Sequence, residues 1–388
     1  AGLVQLSSCA KDNFVNPVPT NVISDLTAFD SKDRIEGQVR AIYTSIKNAG
    51  MYGGRYQIFN DIRCVEFMID RTNVVSGFDV WNYTPSNSST NSVQNHWSRA
   101  YYVINLSNVF LDGMAAKGTA VVGATLSNNF QAEARLLRAM SYYSLLQLYA
   151  RPFWDGNGSK PGVPLRLKGN TGSDNYALAR ATVAEVYTQI LADLNFAETN
   201  LPTANSNAFN NTTRAHRNTA IALKTRVYLS MRRYADVITE ANKIVSATAP
   251  FTSTSGVTHA LQADITNVFK APYTTSESIL SMPFASNEQP GGQNQLGYYY
   301  GPAAFNGGNG EYSLLPTGII SDAGWKATDR RRTMIGVFGG KSYLTKYSVP
   351  ATFIDYAPVI RYAEVLLNLA EARVRSTNTV DPQAIALL

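Results

Sequence analysis

Apolar residues recur three and four positions apart over most of this chain, so helices are the dominant prediction. Ile35, Val39, Ile42, Tyr43 and Ile46 mark a first helix that ends near Gly50, with Asp33 as its N-cap and Glu36 three positions on. A second is expected over 56–71, and helical order returns over 96–114 and 130–149. Thr182 and Glu185 form a capping box that opens a helix through Val186, Ile190, Leu194 and Ala197, stopped by Leu201-Pro202. Residues 218–245 read as a helical hairpin. Ile221, Tyr228 and Leu229 lie on its first arm, Val237, Ile238, Ala241 and Ile244 on its second, and Arg232-Arg233 make the turn. The hairpin is similar to a tetratricopeptide repeat of about 34 residues, with Thr225 where Gly or Ala is usual. One hairpin cannot bury its own apolar face, so residues 35–71, 96–149 and 358–388 are expected to stack on it.

The pattern breaks in three places. Residues 72–94 form a loop carrying Phe78, Trp81 and Tyr83, and 151–179 form a long crossing loop. Over 250–357, glycines crowd between Gly291 and Gly340, Tyr298-Tyr299-Tyr300 occur in a row, and only short β-like runs such as 278–284 appear. Asp381-Pro382 then opens a last helix as N-cap and first position. That helix breaks off at Leu388, so the natural protein is expected to be longer. The predicted fold is mostly α: a tetratricopeptide-like scaffold of helical hairpins with a loop-rich insertion carrying a few short strands. One domain spans 31–388, with scaffold at 31–249 and 358–388 and a ligand-binding region at 250–357. Residues 10–30, polar with Pro17 and Pro19, read as a tether.

Composition narrows the function. Charged residues make up 16%, against roughly 25% in soluble domains, while tyrosine is used 22 times. The chain displays rings, hydroxyls and amides rather than charges. No apolar run of ~18 residues could span a membrane. Leu6-Ser7-Ser8-Cys9 has the form of a lipoprotein signal end, making 1–9 a residual signal and Cys9 the lipidation site. Cys9 and Cys64 are too few for a disulfide framework. Net charge is +6, but the only dense basic cluster is Arg330-Arg331-Arg332, so nucleic acid is not an expected partner.

Catalytic signals are weak. His96, His216 and His259 lack metal-ligand spacing, so neither a metal nor a cofactor is expected. Gly339-Gly340-Lys341-Ser342 ends like a phosphate loop, but Ile335 stands where the first glycine belongs, so it reads as a turn. Asp61, Glu66 and Asp70, or Glu364 and Glu371, are the carboxylates a glycosidase would need. For the helical pair, ion pairs with Arg361, Arg373 or helix ends are the simpler reading.

Binding signals are better. A sugar offers an apolar face of C–H bonds, on which rings stack, and a rim of hydroxyls that amides and charges satisfy. The first candidate loop offers Trp81, Asn82 and Tyr83, with Arg71 beside it; the second offers Asn294, Tyr298, Tyr299, Tyr300, Tyr312 and Trp325. Three consecutive tyrosines in an extended segment alternate faces, so at least one is expected outside. Arg71 and the arginine cluster are the candidates for an acidic sugar. Trp97 and Trp154 are assigned to packing.

Four blocks in order carry a family likeness: 131–155, beginning QAEARLLRAMSYYSLLQLYA; RATVAEVY at 180–187 with ILADL at 190–194; residues 220–234; and 360–372. They resemble the SusD/RagB family of surface nutrient-binding lipoproteins, although the family's charged C-terminal block is absent. The resemblance implies a non-catalytic binder of oligosaccharide or other glycan nutrient, lipid-anchored at the outer membrane on the cell surface. Its partner would be a SusC-like TonB-dependent transporter. The rival readings are a helical-repeat adaptor for a protein ligand and, behind it, a glycoside hydrolase.

Overall fold

In the computed structural model, residues 27–388 are described apart from 73, 74, 76, 87, 173–175 and 292–294. Cys9, most of the expected tether and Asn294 therefore lie outside the described residues. Helix α1 (Lys32–Ile46) buries Ile35, Val39, Ile42 and Ile46, as their spacing requires. Its cap is Ser31 rather than Asp33: the Ser31 hydroxyl accepts from the Arg34 amide at 3.4 Å. Glu36 is taken instead by Arg40 and Arg214.

Helix α2 (Arg55–Ile62) is shorter than expected. After it the chain forms a strand, Phe67–Ile69, which pairs antiparallel with Tyr312–Leu314. That partner is far off in sequence, so no local pattern announces it. The expected 72–94 loop also contains one helical turn, α3 (Phe78–Trp81). Helix α4 (Val93–Gly113) runs on through a π-helical turn, Met114–Gly118, and a short helix, Thr119–Val122. Helix α5 (Ala124–Tyr149) is buried on every side from Ala132 to Leu146 except at Arg135. The capping box at Thr182 is present and opens α6 (Val183–Asn200). The hairpin α7 (Arg217–Ser230) and α8 (Tyr234–Ala241) turns at Arg232-Arg233, with Arg232 at φ 58°. The last helices are α9 (Tyr362–Thr377) and α10 (Pro382–Leu387), the latter capped by Asp381.

From α4 to α9 the helices pack on one another through apolar seams, several of them pinned by a charged or polar contact. Helices α5 and α6 are antiparallel, with Gln147 against Tyr187 and Arg138 against Asp193. Arg138 grips both Asp193 oxygens at 2.7 and 2.8 Å and reaches Asn108 of α4 at 2.7 Å. Lys224 joins α7 to Glu198 of α6 and Glu240 of α8. Arg226 joins α7 to Glu364 of α9 through two bonds of 2.6 and 2.7 Å. The Thr225 hydroxyl accepts from Asn368 of α9 at 3.0 Å, which explains a polar residue at a position usually small and apolar. Glu364 and Glu371 are thus held by Arg226 and Arg375, not by the expected Arg361 and Arg373, which bind Glu277 and Asp381.

Residues 250–357 are loop-rich as expected. Ser278–Met282 pairs with Ala357–Arg361, so the excursion leaves and rejoins the helices at one ribbon. Ile335–Phe338 and Lys341–Leu344 form a hairpin through Gly339 and Gly340, both at positive φ, which is the tight turn expected there.

The three histidines are all core residues. His216 stacks on His259 (5.4 Å between centroids), and His259 on Tyr362 (6.0 Å). His96 lies between Tyr56 and Tyr149. Burial holds all three neutral. It depresses His96 to about 3, with help from the Arg55 charge, His216 to about 3, with help from His259, and His259 to about 4. Unfolded, each protonates near 6.5. Between pH 6.5 and about 4 the unfolded chain therefore takes up protons that the folded chain refuses, and stability falls as pH falls. Each histidine contributes a loss of about 2 kcal/mol at pH 5, from ~1.4 kcal/mol per pH unit. The expected result is a melting temperature that drops steeply from pH 7 to 5, and less steeply for His259→Gln. A flat profile across that interval would show that the imidazoles find compensation on protonation.

Candidate ligand-binding site

The second predicted loop is largely interior. Residues Leu296–Tyr300 form a helical turn rather than an extended segment, so the alternation argument does not apply. Tyr299 and Tyr300 are buried, with hydroxyls donating to the Val75 carbonyl at 2.8 Å and the Asp61 carboxylate at 2.7 Å. Tyr312 is buried on the Tyr299 ring. These three are core residues, not surface ligands. Tyr298 is half-buried, edge-on to Phe353. Trp325 is half-buried too. Its indole donates to Asp329 at 2.8 Å, and the Arg332 guanidinium lies over the ring at 4.3 Å, so one face is taken. The rest of the arginine cluster is neutralised, Arg330 by Asp264 and Arg331 by Asp329. Arg71 is exposed, and its charge acts on the phenols of Tyr298 and Tyr343.

The first predicted loop is better placed. Trp81 turns its indole inward to the Phe67 carbonyl (2.9 Å) and stays half-buried, while Asn82 is exposed. Tyr83 is 70% exposed at φ 56°, its hydroxyl pinned to the Arg63 carbonyl at 2.6 Å. Its ring forms one wall of a depression of about 220 Å³ completed by Arg63, Pro85, Val93, Leu148 and Tyr149. A larger depression of about 540 Å³ adjoins it, sharing Pro85, Val93, Leu148 and Tyr149 and adding Trp97, Gln94 and Arg180.

This groove is built on fixed elements. Tyr149 ends α5, because Ala150 turns extended before Pro152. Its hydroxyl donates to the Val93 carbonyl at 2.6 Å, which ties α5 to the start of α4. Trp97, one turn along α4, meets Tyr149 edge-on at 5.1 Å and Tyr101 at 5.0 Å. Arg180 opens the strand Arg180–Thr182 that leads into the α6 capping box, and it donates to the Gly162 carbonyl at 2.6 Å. The groove is thus lined by aromatic side chains of α4 and α5 together with the amide of Gln94 and the guanidinium of Arg180.

Trp97 packs on Tyr101, Tyr149 and the core, as the sequence assigned it; that it also lines this groove with Tyr149 and Arg180 was not read from the sequence. Trp97 sits in a periodic helix, where packing is the default, and it is half-buried beside the end of α5 at Tyr149. Trp154, also assigned to packing, is half exposed, with the Arg232 guanidinium 4.5 Å from its ring.

Stacked helices that lend one side to an aromatic groove, and a loop-rich excursion that rejoins them at one ribbon, define a SusD-type scaffold. The family model described as starch-binding, associating with the outer membrane, matches residues 21–229, and the chain belongs to this SusD-like family. A SusD superfamily protein from Bacteroides fragilis is 30% identical, with 90% of this chain and 77% of that one covered at a TM-score of 0.79. One from Bacteroides thetaiotaomicron is 22% identical, over 92% and 79%, with a TM-score of 0.80. A laminarin-binding SusD-like protein is 20% identical, over 92% and 82%, with a TM-score of 0.72. The last two show a shared fold. No curated protein matches the chain.

Proposed function

We propose that this chain is a non-catalytic, surface-exposed binder of oligosaccharides that delivers its cargo to a SusC-like TonB-dependent transporter, held to the outer membrane by a lipid on Cys9. The observation that carries the binding role is the groove in which Tyr83, Trp97 and Tyr149 present rings beside the polar groups of Gln94 and Arg180. The family description and the laminarin-binding relative support a glycan as cargo. The carboxylates singled out in the sequence as hydrolase candidates each have a partner within the fold. Asp61 accepts from Tyr300, Glu66 from the Ile319 amide, Asp70 pairs with Lys341, and Glu364 with Arg226. Tyr83 and Asn82 remain the parts of the first predicted loop that a ligand can reach, and Arg71 with Tyr298 forms a secondary polar patch.

Titration calorimetry over a panel of oligosaccharides, with the mixtures analysed for shortened products, tests this reading. Saturable binding of at least one glycan without cleavage is expected. Shortened products would make the chain an enzyme, and absence of heat across the panel, with retention of a protein partner instead, would make it an adaptor.

A further inference from the structure

Two arginines, Arg63 and Arg180, line the groove and a third, Arg99, lies just beyond it on α4; among the described residues none of the three has a carboxylate partner. Arg63 directs its guanidinium to neutral groups: the Phe59 carbonyl at 3.2 Å, the Gln147 carbonyl at 3.3 Å and the Asn60 amide oxygen at 2.8 Å. Arg180 donates to the carbonyls of Gly162 at 2.6 Å and Pro161 at 3.0 Å. Arg99 is exposed on α4 and makes no hydrogen bond or ion pair with another described residue. It lines a further depression of about 360 Å³ on the flank of α4, together with Asn95, Ser98 and Tyr102. Gln94 belongs to both that depression and the groove, so the two adjoin across the first turns of α4.

No Asp or Glu lines any of these three depressions. A carboxylate on the neighbouring elements, Asp79 of α3, is buried and accepts from the Ser92 hydroxyl at 2.8 Å. The hollow beside α1 sets Glu36 and Glu288 against Arg40, Arg214 and Lys47, and Arg330 and Arg331 are each matched by an aspartate. Positive charge is thus left without a carboxylate beside the rings and amides of the groove, as it also is at Arg71, Arg232 and Arg332 elsewhere on the described surface. A guanidinium already bonded to neutral carbonyls keeps its full charge, and a walled groove focuses that field on whatever enters. Carboxylate and sulfate oxygens match its fork of donors, whereas a sugar hydroxyl offers only a neutral bond.

We propose that this surface selects acidic oligosaccharides, whose uronate carboxylates or sulfate esters are read by Arg99 and Arg180, over their neutral counterparts. The proposal rests on the glycan-binding reading given above and specifies its ligand. The test is calorimetry of the whole chain against matched pairs: galacturonan oligomers with their methyl esters, alginate oligomers with their carboxyl-reduced forms, and sulfated galactan oligomers with their desulfated forms. The expected result is at least tenfold tighter binding of the acidic member in one or more pairs, with a preference that shrinks as salt is raised. The pair that responds tells carboxylate from sulfate. Arg99→Gln, which removes no contact within the fold, should narrow the preference at least threefold, and Arg99→Gln/Arg180→Gln should nearly abolish it. Equal or tighter binding of the neutral members overturns the proposal and leaves glycan binding standing. Silence from every glycan, acidic and neutral, removes the binding function and this inference together.

Discussion

Trp97→Leu is expected to lower oligosaccharide affinity at least tenfold while leaving the melting temperature within a few degrees of the parent. Trp97 is half-buried on α4, in contact with the Tyr149 and Tyr101 rings, and lines the groove. Leucine keeps apolar contact with those two rings but removes the flat indole face on which a pyranose would stack under the proposed function. Rings in the centre of a binding surface dominate its affinity, and a tenfold loss corresponds to about 1.4 kcal/mol. Trp154→Leu is the control, because Trp154, with Arg232 over one face of its ring, is absent from the groove. Calorimetry on the tightest glycan decides the matter. If Trp97→Leu binds as the parent does, the sugar lies elsewhere, and the Arg71–Tyr298 patch becomes the site to mutate next.

Arg138→Leu should destabilise the fold by about 3–5 kcal/mol. Asp193 is fully buried, and Arg138 supplies two of its short hydrogen bonds. Removing the guanidinium strands a carboxylate in an apolar seam with only the Gln189 amide at 3.0 Å and the Arg135 guanidinium at 3.9 Å. It also leaves the side-chain oxygen of Asn108 on α4 without its donor, so three helices lose their common pin. The double variant Arg138→Leu/Asp193→Leu should recover much of the loss, since two apolar side chains fill the seam without desolvating a charge. Urea denaturation measures both. A single variant within 1 kcal/mol of the parent would mean that Arg135 swings in to neutralise Asp193.

The scaffold was readable because its information is local. Thr182 with Glu185, Leu201-Pro202 and Asp381-Pro382 are signals confined to a few residues, and each is found doing what its chemistry predicts. The strand Phe67–Ile69 was not readable: its partner Tyr312–Leu314 is set by tertiary folding, and the run before it looks helical. The tyrosines at 298–300 misled for the same reason. Their exposure depends on backbone conformation, and a helical turn places two of them inward where a strand would have alternated them. The groove is half legible. Tyr83 stood out as a ring in a loop. Trp97, Tyr149 and Arg180 come from three separated elements, and only the packing of α4 on α5 and the strand before α6 brings them together.

The ribbon at which Met282 sits opposite Ala357 makes everything between them a cassette whose two ends meet. Chain can be added to or trimmed from such a cassette with little change in closure entropy, and the helices keep their register. Tyr299, Tyr300 and Tyr312 act as its plug, seated against the Val75 carbonyl, Asp61 and one another. A transplant of this module between related scaffolds would therefore succeed only when the plug and its socket travel together, whereas the groove walls from Tyr83 to Arg180 would stay behind with the host.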